Sequence, residues 1–72
     1  MADLELLSVV AVMRDVPETG LVCGQVGTVV EVLAPGVFEV EFSDDSGRTY
    51  ASLALRSGDL LHLHHERLHQ AA

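Results

Sequence analysis

The most regular alternation of apolar and polar residues lies in the middle of the chain, in the segment "VFEVEF". Phe38, Val40 and Phe42 occupy one set of alternate positions, and Glu39 and Glu41 occupy the other. Successive side chains of a β-strand point to opposite faces, so this alternation predicts a half-buried strand. We therefore expect the two aromatic rings in a hydrophobic core and the two carboxylates in solvent.

Four more segments are predicted to be strands because they are rich in valine and leucine and are bounded by turn-forming residues. They are Leu6–Met13, Gly27–Ala34, Arg48–Leu55 and Leu60–Leu63. In the last two, the residues expected to face the core are Ala51, Leu53, Leu55, Leu61 and Leu63, with His62 facing outward.

The segments between these strands have the composition of a long loop, a tight turn, a hairpin loop and one turn of 3₁₀ helix. They lie at Asp15–Gln25, Pro35–Gly36, Ser43–Gly47 and Arg56–Asp59. Gly24 and Gly27 mark a corner where a side chain would crowd its neighbours. The pattern predicts an all-β fold, a small five-stranded SH3-like barrel over residues 1–63. Residues 64–72 would form a short C-terminal tail able to make a turn or two of helix.

Two strands are apolar on both faces. Leu6–Met13 carries apolar residues at nearly every position, and Gly27–Ala34 places Val30 and Val32 inside with Val29 and Leu33 outside. A strand that is apolar on both faces is covered on both faces or exposes a patch. The cover expected here is a second chain, which suggests a homodimer; the alternative is the long loop or the C-terminal tail.

The charge of the chain restricts its partners. The formal net charge is −7, and the sequence contains no lysine. Nucleic-acid binding draws much of its affinity from basic residues that neutralise phosphates, so DNA and RNA are not expected partners. A basic protein is the expected partner. Its predicted contacts are Glu31, Glu39, Glu41, Asp44 and Asp45, with the outward-facing Val29 and Leu33.

The single cysteine, Cys23, rules out a disulfide within the chain. Asp3 and Glu5 stand where a secretory leader would be basic, and no apolar run reaches membrane-spanning length. These features predict a cytoplasmic protein without membrane contact. Cys23 lies far along the sequence from the histidines, and no third group that would orient a base is evident, so these residues do not suggest a catalytic triad. We expect no enzyme activity and no bound cofactor.

Histidines near the C-terminus are the clearest candidates for chemistry. His62 and His64 are two residues apart, a spacing that places both on one face of a strand. His65 and His69 are four apart and would share one face of a helix, where Glu66 could add an oxygen ligand. The four histidines therefore predict a transition-metal site. The alternative is a polar tail that has no specific metal function.

Four motifs resemble a small bacterial family known as domain of unknown function 4926: "DVPETGL", "GQVGTVVEV", "FEVEF" and "TYASLAL". The resemblance extends from about Leu4 to Leu63. It implies an SH3-like barrel and transfers no activity and no site residue. "GQVGTVVEV" is also similar to the KOW motif of ribosomal and transcription-elongation proteins, although the basic residues needed for RNA contact are missing.

Two functions from different classes remain as hypotheses. The first is a protein-interaction module, such as an antitoxin-like, immunity-like or regulatory partner of a basic protein. The alternative is a transition-metal-binding protein that uses the C-terminal histidines.

Overall fold

The computed structural model describes residues 4–64, which form one antiparallel five-stranded sheet. The strands are β1 (Val9–Val12), β2 (Val26–Ala34), β3 (Val37–Ser43), β4 (Thr49–Arg56) and β5 (Leu60–His62). A 3₁₀ turn at Ser57–Asp59 joins β4 to β5, as predicted. The predicted helical tail lies outside the described residues, apart from His64.

The order of the strands across the sheet is β4-β3-β2-β1-β5. This order confirms the predicted all-β class, and it is compatible with an SH3-like barrel whose edges β4 and β5 have not closed onto each other. Within residues 4–64, no helix is long and apolar enough to cross a bilayer.

The hydrophobic core is built around the apolar residues that alternate along β3. Phe38, Val40 and Phe42 are buried, as the pattern predicted. Their neighbours in the core come from every strand and from the first loop: Val10, Val12, Val16, Leu21, Val29, Leu55 and Leu60. Ala51 and Leu53 pack partly buried against this cluster, which confirms the predicted inner face of β4.

The long first loop contributes to the core. Val16 and Leu21 are both buried, and the Val16 N–H donates a hydrogen bond to the Leu21 carbonyl at 2.9 Å. The Asp15 carboxylate accepts a hydrogen bond at 2.9 Å from the backbone N–H of the exposed Cys23. The loop therefore folds back on itself and seals one end of the core.

The inner face of β2 differs from the prediction, because Val29 is buried and Val30 is exposed. Val29 lies opposite Val40 on β3, and the next pair is Glu31 opposite Glu39. Val30 is therefore an extra residue, a β-bulge, and it interrupts the two-residue period. The predicted outward position of Val29 is wrong, since its partner Val40 faces the core.

A second irregularity follows at the end of β2. Val32 lies opposite Phe38, and the next pair is Ala34 opposite Val37, which leaves Leu33 as the extra residue. Val32 shares the face of Phe38 but lies near the hairpin end, where it stays half exposed. Leu33 is exposed, as predicted.

The orientation of β5 is also opposite to the prediction. Leu60 is buried and Leu61 is exposed, whereas Leu61 was expected inside. The register explains this result, because Leu60 and His62 lie opposite Val12 and Val10, which both face the core. The predicted outward position of His62 is therefore wrong, and its side chain is half buried.

Candidate functional site

The side of the sheet that faces away from the core is divided into an apolar part and an acidic part. Residues opposite each other in neighbouring strands share a face. Ala11 on β1 lies between Val26 on β2 and Leu61 on β5, and Val9 is two residues before it. Val26 and Leu61 are each about half exposed, Val9 is half buried, and the small side chain of Ala11 is buried between its neighbours. These residues, Val9, Ala11, Val26 and Leu61, are called the apolar patch below.

The acidic part lies over β2 and β3. Glu39 and Glu41 alternate with the core residues of β3, and Glu31 on β2 lies directly opposite Glu39. We call Glu31, Glu39 and Glu41 the acidic row. Thr28 joins it to the apolar patch, because Thr28 lies opposite both Glu41 and Val9.

The acidic row is electrostatically unfavourable in the isolated domain. Like charges directly opposite each other across two strands destabilise a sheet. Within residues 4–64, the ion pair present joins Arg14 to Asp59 at 3.1 Å, and no arginine pairs with the acidic row. The Ser52 hydroxyl donates a hydrogen bond to Glu39 Oε2 at 2.7 Å but brings no positive charge.

The two aspartates of the β3–β4 hairpin differ in what they do. Asp44 Oδ1 accepts hydrogen bonds from the Ser46 hydroxyl at 2.8 Å, the Ser46 N–H at 2.9 Å and the Arg48 N–H at 3.0 Å. The Ser46 hydroxyl and then the Arg48 N–H hold the pKa of Asp44 below its usual value, because both stabilise the carboxylate. Asp44 therefore holds the loop together, and the exposed Asp45 is the loop's candidate docking charge.

A cleft of about 350 Å³ opens between the segment before β1 and the end of β5. Its lining residues are Glu5, Leu6, Leu7, Ser8, Val9, His62, Leu63 and His64. One wall is a turn in which the Ser8 N–H donates to the Glu5 carbonyl at 3.1 Å and the Glu5 N–H donates to the Ser8 hydroxyl at 3.0 Å. This turn shortens β1 relative to the predicted Leu6–Met13.

Leu7 in this turn has φ +69°, a left-handed conformation that is uncommon for a bulky side chain. The Leu7 N–H donates to the Val29 carbonyl at 2.7 Å, which holds the turn against the bulge of β2. The sheet therefore fixes a backbone conformation that costs about 1–2 kcal/mol for an L-residue.

Replacing Leu7 by asparagine should stabilise the protein by about 0.5–1 kcal/mol, because asparagine tolerates left-handed backbone. Leu7 is 74% exposed, so little packing would be lost. The measurement is the urea unfolding free energy. Leu6→Asn is the control, because Leu6 is 60% exposed and is not among the left-handed residues. An equal effect of the two substitutions would contradict the prediction.

The two histidines of the described chain lie side by side in the cleft. The ring centroids of His62 and His64 are 4.2 Å apart, and the rings are tilted by 42°. The two-residue spacing did therefore predict that they share a side of the strand. Glu5 lines the same cleft. His65 and His69, and Glu66 between them, lie outside the described residues. Among residues 4–64, no three potential metal ligands are close enough to form a complete site.

Comparison with known proteins identifies a family. The profile of the family described as Domain of unknown function (DUF4926) matches residues 6–62. The chain belongs to the DUF4926 family. No curated protein and no solved structure matches this DUF4926 protein.

The family match confirms the resemblance predicted from the motifs. It spans the acidic row and the apolar patch of this DUF4926 protein, and it ends at His62. His64, His65 and His69 lie beyond the matched residues.

The sequence prediction found part of this surface. It placed Glu31, Glu39, Glu41 and Asp45 outside, where they are exposed or half buried. It missed Val26 and Leu61, although the two-sided apolar character of the first strand indicated that a patch would lie near it. Only the pairing of β1 with both β2 and β5 brings these two side chains beside Ala11.

Proposed function

We propose that this DUF4926 protein is a protein-interaction module that docks a basic, amphipathic segment of another protein on the outer face of its sheet. Basic side chains of the partner would lie over the acidic row, and its apolar side chains would lie over the apolar patch. An antitoxin-like, immunity-like or regulatory protein would use such a face to cover or neutralise a basic target.

The observation that carries the proposal is the pair Glu31 and Glu39, which lie directly opposite each other on adjacent strands and have no ion-pair partner within residues 4–64. Such a pair reduces the stability of the free domain. A cationic partner would remove that cost on binding, and complementary charges would also increase the association rate. The net charge of −7 favours the same type of partner.

The apolar patch supports the same surface, because it adjoins the acidic row through Thr28 on one face. Exposed apolar side chains such as Val26 and Leu61, beside polar ones, are typical of protein-binding surfaces. A two-fold dimer through this face would use the same residues on both copies. The net charge of −7 on each copy opposes self-association, so we favour a basic partner over a second copy.

The test is capture of partners from the native host with a tag at the N-terminus, comparing the wild type with matched variants. Glu41→Lys should weaken the captured one-to-one complex about tenfold or more, a loss of about 1.4 kcal/mol. Glu18→Lys makes the same charge change in the exposed first loop and should leave the complex intact. Binding should also weaken with added salt.

A second pair of variants tests the apolar patch. Val26→Ser should weaken the complex severalfold, whereas Val22→Ser should not, although Val26 and Val22 are 48% and 57% exposed. Equal effects within each pair of variants would overturn the proposal. Recovery of the chain alone as a homodimer that Val26→Ser dissociates would also overturn it, by showing that a second copy occupies the patch.

A further inference from the structure

We propose that the cleft between the Glu5–Ser8 turn and β5 binds one divalent transition-metal ion, with the imidazoles of His62 and His64 as its protein ligands. Cu²⁺ should bind most tightly, followed by Ni²⁺ and Zn²⁺, as is usual for nitrogen ligands. Water would fill the remaining coordination positions. The proposed ligands and Glu5 are not part of the acidic row or the apolar patch, although Val9 of the patch also lines the cleft.

The sheet fixes the positions of the two histidines. His62 lies opposite Val10 in the β1–β5 ladder, and the next residue, Leu63, donates its N–H to the Val9 carbonyl at 2.8 Å. Pairing with β1 therefore holds the backbone on both sides of His62. Two ligands on an ordered strand lose less conformational entropy when they bind an ion than two ligands on a flexible peptide would.

The distance between the rings suits a single ion. Metal–nitrogen bonds of about 2.0–2.1 Å place two imidazole nitrogens on the order of 3 Å apart. The ring centroids are 4.2 Å apart with a tilt of 42°, so the two rings already lie side by side without stacking flat. At this separation both rings are within reach of one ion bound between them.

The opposite wall of the cleft is suited to a cation. Glu5 lines the cleft together with both histidines. The turn that carries Glu5 is held by two hydrogen bonds with Ser8 and contains the strained Leu7. Backbone strain of this kind is concentrated at binding sites. A carboxylate on this wall would attract the ion and could accept a hydrogen bond from a water that the ion holds.

The decisive experiment separates this pair from the other two histidines of the chain. Untagged full-length protein is titrated calorimetrically with NiCl₂ and with CuCl₂ in a buffer that does not bind metals. We expect one ion per chain. His62→Ala/His64→Ala should weaken binding at least a hundredfold, and Glu5→Gln should weaken it threefold to tenfold.

The matched control is His65→Ala/His69→Ala, which removes the same number of imidazoles and should change the affinity less than threefold. Because His62 is half buried, the single variant His64→Ala is measured as well, and it should lose most of the affinity while retaining the wild-type circular dichroism spectrum. With Cu²⁺, electron paramagnetic resonance should show coupling to two imidazole nitrogens in the wild type and to no more than one in His64→Ala.

Stability provides a readout besides binding. A metal excess of a hundredfold over Kd should raise the thermal midpoint by at least about 5 °C in the wild type and the tail control, and not in His64→Ala. Loss of binding in the tail control with retention in His62→Ala/His64→Ala would overturn the proposal. A Kd above about 100 μM together with no shift of the thermal midpoint would also overturn the proposal, because it would show that the ion binds only adventitiously.

Discussion

Replacing Phe42 by alanine is expected to remove most of the protein's free energy of unfolding at 25 °C. The Phe42 ring is fully buried, and its loss from a core costs about 3–5 kcal/mol because a cavity remains. A chain of 72 residues has a total unfolding free energy on the order of 4–11 kcal/mol. Small domains lie toward the lower end of such a range, and the single cysteine leaves no disulfide to compensate.

The measurement is urea unfolding followed by far-ultraviolet circular dichroism, with Tyr50→Ala as the control. Tyr50 is an aromatic residue on β4 with about half of its surface exposed, and its hydroxyl accepts a hydrogen bond from Gln25 Nε2 at 2.9 Å. Its replacement should cost about 1 kcal/mol. If Phe42→Ala cost no more than Tyr50→Ala, the placement of Phe42 at the centre of the core would be wrong.

The parts of the fold that sequence alone could predict are those with a local physical signal. β3 alternates strictly, so Phe38, Val40 and Phe42 could be placed in the core from their period alone. The turns could also be predicted from local sequence, because glycine marks positions of positive φ. Gly36 and Gly47 adopt φ +75° and +84°, conformations that other residues rarely adopt.

The errors occur where the structure depends on pairing with a distant strand. β2 contains two bulges, and its valine-rich sequence has no feature that marks Val30 as the extra residue. β5 is too short and too apolar for alternation to show its inner face. Its pairing with β1 turns Leu60 inward and Leu61 outward.

The same distinction applies to the candidate sites. Glu39 and Glu41 were predictable because they alternate with core residues on a single strand, and the His62–His64 pair because its spacing matches the strand period. The apolar patch could not be predicted, because it combines side chains from three strands whose register no local pattern specifies. A surface made by long-range pairing needs the structure before it can be described.

Gly27→Ala is expected to destabilise the protein by about 2–3 kcal/mol, although an alanine normally stabilises a strand relative to glycine. A Cβ on Gly27 would lie 2.8 Å from two carbons of the Phe42 ring and 2.8 Å from Val40 Cγ1. Real Cβ contacts are not this short, and neither side chain can move aside because both are fully buried. Urea unfolding measures the loss.

Gly58→Ala is the control for this prediction, because a Cβ there would meet no atom within 4 Å and Gly58 is not among the glycines with positive φ. It should change stability by no more than about 0.5 kcal/mol. Combining Gly27→Ala with Phe42→Leu tests the cause, since the smaller side chain leaves room for the added methyl group. The double variant should be at least about 1 kcal/mol more stable than the sum of the two single changes predicts. Simple additivity would show that the contact with the Phe42 ring is not the cause of the stability lost in Gly27→Ala.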